Sequence, residues 1–158
     1  MAVQFATAMG GRVAVISSTK QKQVRARELG AEKFIHAGTE NIDKSLLSWD
    51  GGADIILQVA PSAESASAAL RGLASDGTFV LLAPVPVCPD PMSMIMRRQR
   101  IMGSPAGSRK ELRAVLDLAA AHRIRPQLRS FPLERVGEAL TDLETARPAG
   151  RVVLVMEQ

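Results

Sequence analysis

Short apolar runs alternate with helix-like stretches through most of this chain, and that rhythm restricts it to few folds. Arg12–Ser17 reads RVAVIS, Ala53–Val59 reads ADIILQV and Thr78–Ala83 reads TFVLLA. Each is a strand-length run with little polar alternation, so both faces of the sheet should be covered by helices. Helical spacing between the runs points to parallel βαβ units and an α/β, doubly wound sheet. Such sheets bind ligands beyond the carboxyl ends of their strands.

The remaining segments fit this frame. Ala2–Met9 is apolar nearly all round, reads as a buried helix, and stops at Gly10-Gly11. Ser18-Thr19 can cap a helix over Lys20–Leu29. Lys33–His36 is a strand, Ile42–Trp49 a weak helix and Ser62–Ala74 an alanine-rich helix, followed by a turn at Asp76-Gly77. A proline-rich loop, Pro84–Pro91, leads to a short helix at Met92–Met96 and a strand at Arg100–Met102. The cluster Arg97-Arg98-Gln99-Arg100 reads as a solvated face or the start of that strand. Ser108–His122 is an amphipathic helix. The tail changes rhythm, with a strand at Gln127–Phe131, a helix at Leu133–Ala146 and a strand at Arg151–Met156.

Composition excludes several classes. Four Phe, one Trp and no Tyr leave too few aromatics to stack bases, so no nucleic-acid partner is expected. A net charge of +4 favours anionic ligands such as a nucleotide phosphate. Cys88 is the only cysteine, which fits a reducing compartment. No apolar run reaches membrane-spanning length and no leader pattern opens the chain, so a cytoplasmic protein is expected. Cys88, His36 and His122 are not at ligand spacing, so no metal is expected to bind this chain.

The order of four blocks carries a resemblance. MAVQFATAMGGRVAVIS, then SSTKQKQVRARELGAEKFI, then IMGSPAGSRKELRAVLDLAAAHRIRP, and finally FPLERVGEALTDLETARPAGRVVLVM resemble successive parts of the medium-chain, zinc-type alcohol dehydrogenases, cinnamyl-type members included. The resemblance implies a Rossmann-like cofactor domain over residues 1–124. It implies a returning segment of the GroES-like catalytic domain over residues 125–158.

It also implies a binding path. Ser17, Ser18, Thr19 and Lys22 follow the strand whose end receives the adenosine ribose. NAD-selective folds place an acid there, whereas this chain has none between Ile16 and Glu28. Hydroxyls and a lysine suit the 2′-phosphate of NADP, with NAD as the other candidate; the same residues also suit a plain helix start. Val59 and Ala60, then Leu82 and Ala83, would line the adenine and nicotinamide path. Gly103 and Ser104 would approach the carboxamide, and Arg151 would reach the pyrophosphate. The family's zinc ligands belong to its N-terminal domain. Family dimers pair near the segment Pro84–Met102, so a homodimer is a candidate assembly.

On the family pattern a first strand and a Gly-x-Gly-x-x-Gly loop would precede Met1. The sheet order 3-2-1-4-5-6 would then lack its central strand, and its neighbours would either pair directly or leave free edges. The expected function is the NADP(H)-binding portion of an enzyme that moves hydride between an alcohol or aldehyde and its cofactor, not active alone. A non-catalytic remnant and a basic nucleotide-binding module remain as alternatives.

Overall fold

The computed structural model describes residues 1–144 and 150–156. Helix α1 (Ala2–Ala8) precedes strand β1 (Ala14–Ser17), then α2 (Lys22–Glu28), β2 (Lys33–His36), α3 (Ile42–Leu47) and β3 (Ala53–Gln58). Helix α4 (Ala63–Arg71), β4 (Leu73–Leu81), α5 (Pro91–Arg97), β5 (Arg100–Gly103) and α6 (Arg109–Ala121) follow. The tail forms β6 (Leu128–Pro132), a 3-10 turn (Leu133–Arg135), α7 (Val136–Glu144) and β7 (Arg151–Val155). Ala146, placed in the last helix by its sequence, lies outside the described residues.

All strand pairs are parallel, but they form three separate sheets. β1 pairs with β2, β3 with β4 and β4 with β5, and β6 with β7. Among the described residues no strand joins β1 to β3. Of the two outcomes expected for the sheet, free edges are the one observed.

One apolar cluster holds the first two sheets together. Ile35, Leu46, Leu70, Leu73 and Phe79 are its most buried large side chains, and Ile16 of β1 and Ile56 of β3 both reach it. A smaller cluster of Ala26, Ala31 and Phe34 takes Val3 and Val15. There Gly30, at φ +103, lets α1 approach: a Cβ would stand 2.8 Å from Thr7 Oγ1. At the starting ends of the strands, Arg12 ties the two sheets. It ion-pairs with Glu32 at 3.0 Å and Asp50 at 2.7 Å, and lies 4.9 Å over the Trp49 ring.

Three expectations are corrected. α1 buries no residue, because Val3 alone reaches a core cluster and Met9 stays 74% exposed. Ser18-Thr19 do not cap α2. Its cap position is Gln21, with no side-chain bond, because an extra turn through Thr19 and Lys20 intervenes. The sheet is not covered on both faces. Helices pack on the side that carries Ile56 and Phe79, whereas Ile55 and the two residues that flank Val80, Leu57 and Met102, stay exposed. Helix α6, amphipathic and closed by a Ser108–Glu111 capping box, also buries no residue.

The arginine cluster has partners. β4 begins at Leu73, and the expected Asp76-Gly77 turn sits inside it as an irregularity, with Asp76 at φ +61. Arg98, itself left-handed at φ +51, grips the Asp76 carboxylate with both ends of its guanidinium, at 2.7 and 2.5 Å. Arg97 and the buried Gln99 donate to the Leu73 carbonyl at 3.2 and 3.0 Å, and Arg100 to the Asp76 carbonyl at 3.3 Å.

Phe79→Ala should cost about 3–5 kcal/mol in urea unfolding, because Phe79 is fully buried. Met92→Ser on exposed α5 should stay within ~0.5 kcal/mol. The Arg98 bond also holds the Asp76 carboxyl below the ordinary aspartate pKa. A carboxylate depressed in the fold stabilises above its unfolded pKa of ~3.9 and loses that contribution as pH falls through its folded value. Asp76→Asn should therefore lower the urea midpoint at neutral pH, and the difference from wild type should close below the ordinary aspartate range.

Candidate functional site

Because each sheet is parallel, the residues that follow its strands gather on one rim. Gln58, at the end of β3, organises that rim in the three-stranded sheet. Its carbonyl accepts from the Leu82 and Ala83 amides at 3.0 and 3.1 Å, and its buried side-chain amide donates to the Ala60 carbonyl at 2.6 Å. The Ser104 amide donates to the Leu81 carbonyl at 3.0 Å. The strand ends after β3, β4 and β5 are thus fixed side by side.

This arrangement shapes an open apolar depression lined by Leu81 to Val85 and Gly103 to Pro105. It brings together four residues read from the sequence: Leu82, Ala83, Gly103 and Ser104. A Cβ added at Gly103 would meet nothing within 4 Å, so the glycine faces open space. Val59 and Ala60 are exposed beside it, beyond the end of β3. Leu81 and Pro84 also line it, as do Val85 and Pro105, which were not foreseen. Gln58 was not foreseen either, although a lone amide in the run ADIILQV was a usable signal.

The second group stands at the end of β1. Ser17 Oγ accepts from the Thr19 amide at 3.2 Å, Ser18 and Lys22 are exposed, and Thr19 is half-buried. Since none of these side chains caps α2, the Ser18 hydroxyl and the Lys22 ammonium face solvent. The nearest acid in sequence, Glu28, is at the far end of α2 and ion-paired with Arg25 at 2.8 Å. Arg151 opens β7, anchored by its amide to the Gln127 carbonyl at 2.8 Å. It lies near the start of α1: burial first, then the charges of Arg151 and Arg25, lower the pKa of the Met1 amine.

A second depression lies between Ala37–Ile42 and α4, lined by Glu40, Glu64 and Arg71. Burial opposes charge on the neighbouring Asp43, but the Lys44 amide and Arg71 outweigh it and hold the Asp43 pKa below its usual value. Two carboxylates in that lining disfavour a phosphate.

Comparison with known proteins places the fold in a family. A family model described as zinc-binding dehydrogenase covers residues 1–121. The chain belongs to the zinc-binding dehydrogenase family. It is 35% identical to the probable formaldehyde dehydrogenase AdhA of Bacillus subtilis over 142 residues, 88% of this chain and 40% of that protein. A putative alcohol dehydrogenase structure from Sinorhizobium meliloti superposes with a TM-score of 0.87 at 27% identity, over 96% of this chain and 46% of that one. The acetophenone reductase of Geotrichum candidum, solved in complex with NAD, gives 0.77 at 25% identity, over 97% and 44%. The chain spans about half the length of the curated relatives it matches. It corresponds to the Rossmann-like, cofactor-binding part of these zinc-type alcohol dehydrogenases.

Zinc does not fit the residues described. Among them no three His, Cys, Asp or Glu side chains stand close enough to hold a metal ion. Cys88 is exposed in its loop, His36 Nδ1 meets Thr39 Oγ1 at 3.0 Å and His122 ends α6. No helix of the described residues is long and apolar enough to cross a membrane.

Gln58→Leu should leave the Ala60 carbonyl without its partner and cost about 1 kcal/mol, read as a lower urea midpoint. Gly103→Ala should fold with unchanged stability, since nothing crowds the new methyl.

Proposed function

We propose that this chain is the NADP(H)-binding portion of a zinc-dependent alcohol dehydrogenase. The observation that carries the cofactor preference is the turn after β1. Its hydroxyls and Lys22 are free of the helix cap, and the segment between Ile16 and Glu28 offers no acid to accept from a ribose 2′-hydroxyl. Ser17, Ser18, Thr19 and Lys22 would hold the 2′-phosphate, by hydrogen bonds and by charge. Val59 and Ala60 would line the adenine side. The depression at Leu82, Ala83, Gly103 and Ser104 would seat the nicotinamide end, where Gly103 leaves room for a flat ring. Arg151 would meet the pyrophosphate with a guanidinium fork. When bound, the cofactor supplies the hydride donor or acceptor; these residues orient it and keep its phosphates neutralised.

Residues 1–124 form the cofactor unit in this proposal, and residues 125–158 belong to a catalytic domain. The whole enzyme would act on an alcohol or aldehyde in the cytoplasm, as a homodimer paired near Pro84–Met102. The exposed side chains of Met92, Ile95 and Met96 on α5 support that contact.

Thermal-shift titration tests the cofactor side. NADPH should raise the melting temperature saturably and NADH should do so only at higher concentration. Lys22→Glu should weaken NADPH binding roughly tenfold to a hundredfold, the range for losing one charged hydrogen bond of ~1.5–3 kcal/mol. Ser18→Asp should move the preference toward NADH. Equal shifts with both cofactors, unchanged in these variants, would remove the 2′-phosphate assignment. Gly103→Ala, stable by itself, should weaken both cofactors alike.

A further inference from the structure

We propose that His36 is a further specificity-determining residue, its imidazole Nε2–H donating to the cofactor's 2′-phosphate beside Ser17 and Lys22. The inference rests on the reading of this chain as an NADP(H)-binding unit. It starts from the register of the first sheet. Ser17 and His36 are direct partners across the parallel pair β1–β2, and the Ala37 amide donates to the Ser17 carbonyl at 3.1 Å. Partners in register stand about 4.8 Å apart and send their side chains to the same face. That face belongs to α2. Val15 and Phe34, two residues earlier on each strand, pack with Ala26 of that helix. Lys22 opens the same helix. The half-buried His36 therefore joins Ser17 on the side of the sheet where Lys22 stands.

The surroundings hold the ring and leave one of its nitrogens for a ligand. Thr39 Oγ1 lies 3.0 Å from Nδ1. Gly38 lies against the ring, since a Cβ there would come 3.1 Å from His36 Cε1. The Thr39 and Glu40 amides both donate to the His36 carbonyl, at 3.1 and 2.8 Å, which winds the loop tightly around the residue. Among the described residues Nε2 makes no hydrogen bond. A neutral imidazole donates from one nitrogen and accepts at the other. A phosphate oxygen at Nε2 selects the tautomer in which Thr39 donates to Nδ1 and Nε2 carries the proton. The acid of this loop, Glu40, accepts from the His36 amide at 2.7 Å. Successive amides of a strand point to opposite edges, and the Ala37 amide is the one bonded to Ser17. The Glu40 carboxylate is thus held at the outer edge of β2, across the strand from Ser17. A ribose 2′-hydroxyl carries no charge to strengthen a bond from Nε2, whereas a phosphate does, so the contact separates NADP from NAD.

The chain has two histidines, and His122 at the end of α6 serves as the control. Side-chain NMR of the 158-residue chain reads both rings, told apart with His122→Gln. The His36 Nε2 signal should shift with NADPH and with adenosine 2′-monophosphate. NADH and adenosine 5′-monophosphate should move it far less, and His122 should respond to none of these ligands. His36→Phe keeps a flat ring beside Gly38 but has no donor. It should weaken NADPH binding roughly tenfold, the scale of one hydrogen bond to a charged group, and leave NADH within about twofold. His36→Gln, whose amide nitrogen stands near the place of Nε2, should recover most of that loss. A wild-type chain that prefers NADPH while Nε2 stays unmoved overturns the assignment and leaves the 2′-phosphate reading intact. An equal loss of NADPH and NADH binding in His36→Phe does the same. The Nε2 signal needs no substitution at His36, so it decides the matter even if His36→Phe fails to fold. A wild-type chain that binds both cofactors equally removes the 2′-phosphate reading, and the role of His36 with it.

Discussion

Strand β4 has to satisfy hydrogen-bonding groups on both of its edges, and the sheet around it forms only because it does. It pairs in parallel with β3 on one side and β5 on the other, and its Phe79 stands at the centre of the main apolar cluster. Parallel neighbours must be reached by a crossover, so α4 and α5 are placed by the same requirement. The crossing from β3 through α4 packs Ala66, Ala69 and Leu70 against that cluster. The carboxyl ends of the three strands then fall on one rim, where Gln58 locks the first two and the Ser104 amide ties the third to Leu81.

The strands were legible because their apolar runs are unbroken. Lys33–His36 is observed with the bounds its sequence gives, and the other core strands differ by a residue or two at most, except β4. Its early start at Leu73 was hidden by Asp76-Gly77, a pair that reads as a turn. Only contacts distant in sequence, from Arg97, Arg98, Gln99 and Arg100, keep that pair inside a strand. Helix α1 failed in the opposite direction. Its uniform apolarity demands cover, yet Val3 is its one residue that packs against a core cluster among the described residues, and the rest are at most half-buried.

The site was legible where it depends on backbone position and illegible where it depends on side-chain partners. Residues after parallel strands meet whatever their identity, which is why Leu82, Ala83, Gly103 and Ser104 share a depression. Whether Ser18 and Thr19 served the next helix could not be read from their types, because serine and threonine suit caps and ligands equally. The turn through Thr19 and Lys20 separates them from α2 and leaves their hydroxyls for other work.

The Asp76–Arg98 pair has a consequence for how this chain can vary. Both residues sit in left-handed backbone, where glycine would be more comfortable. Glycine at either position relieves local strain but strands the opposite charge without its fork. Substitutions at the two positions therefore do not add: a step that harms the chain when taken alone becomes tolerable once the other has been taken. The coupling is small in size, because the pair is exposed to solvent and such pairs contribute at most about 1 kcal/mol, but it ties two positions 22 residues apart.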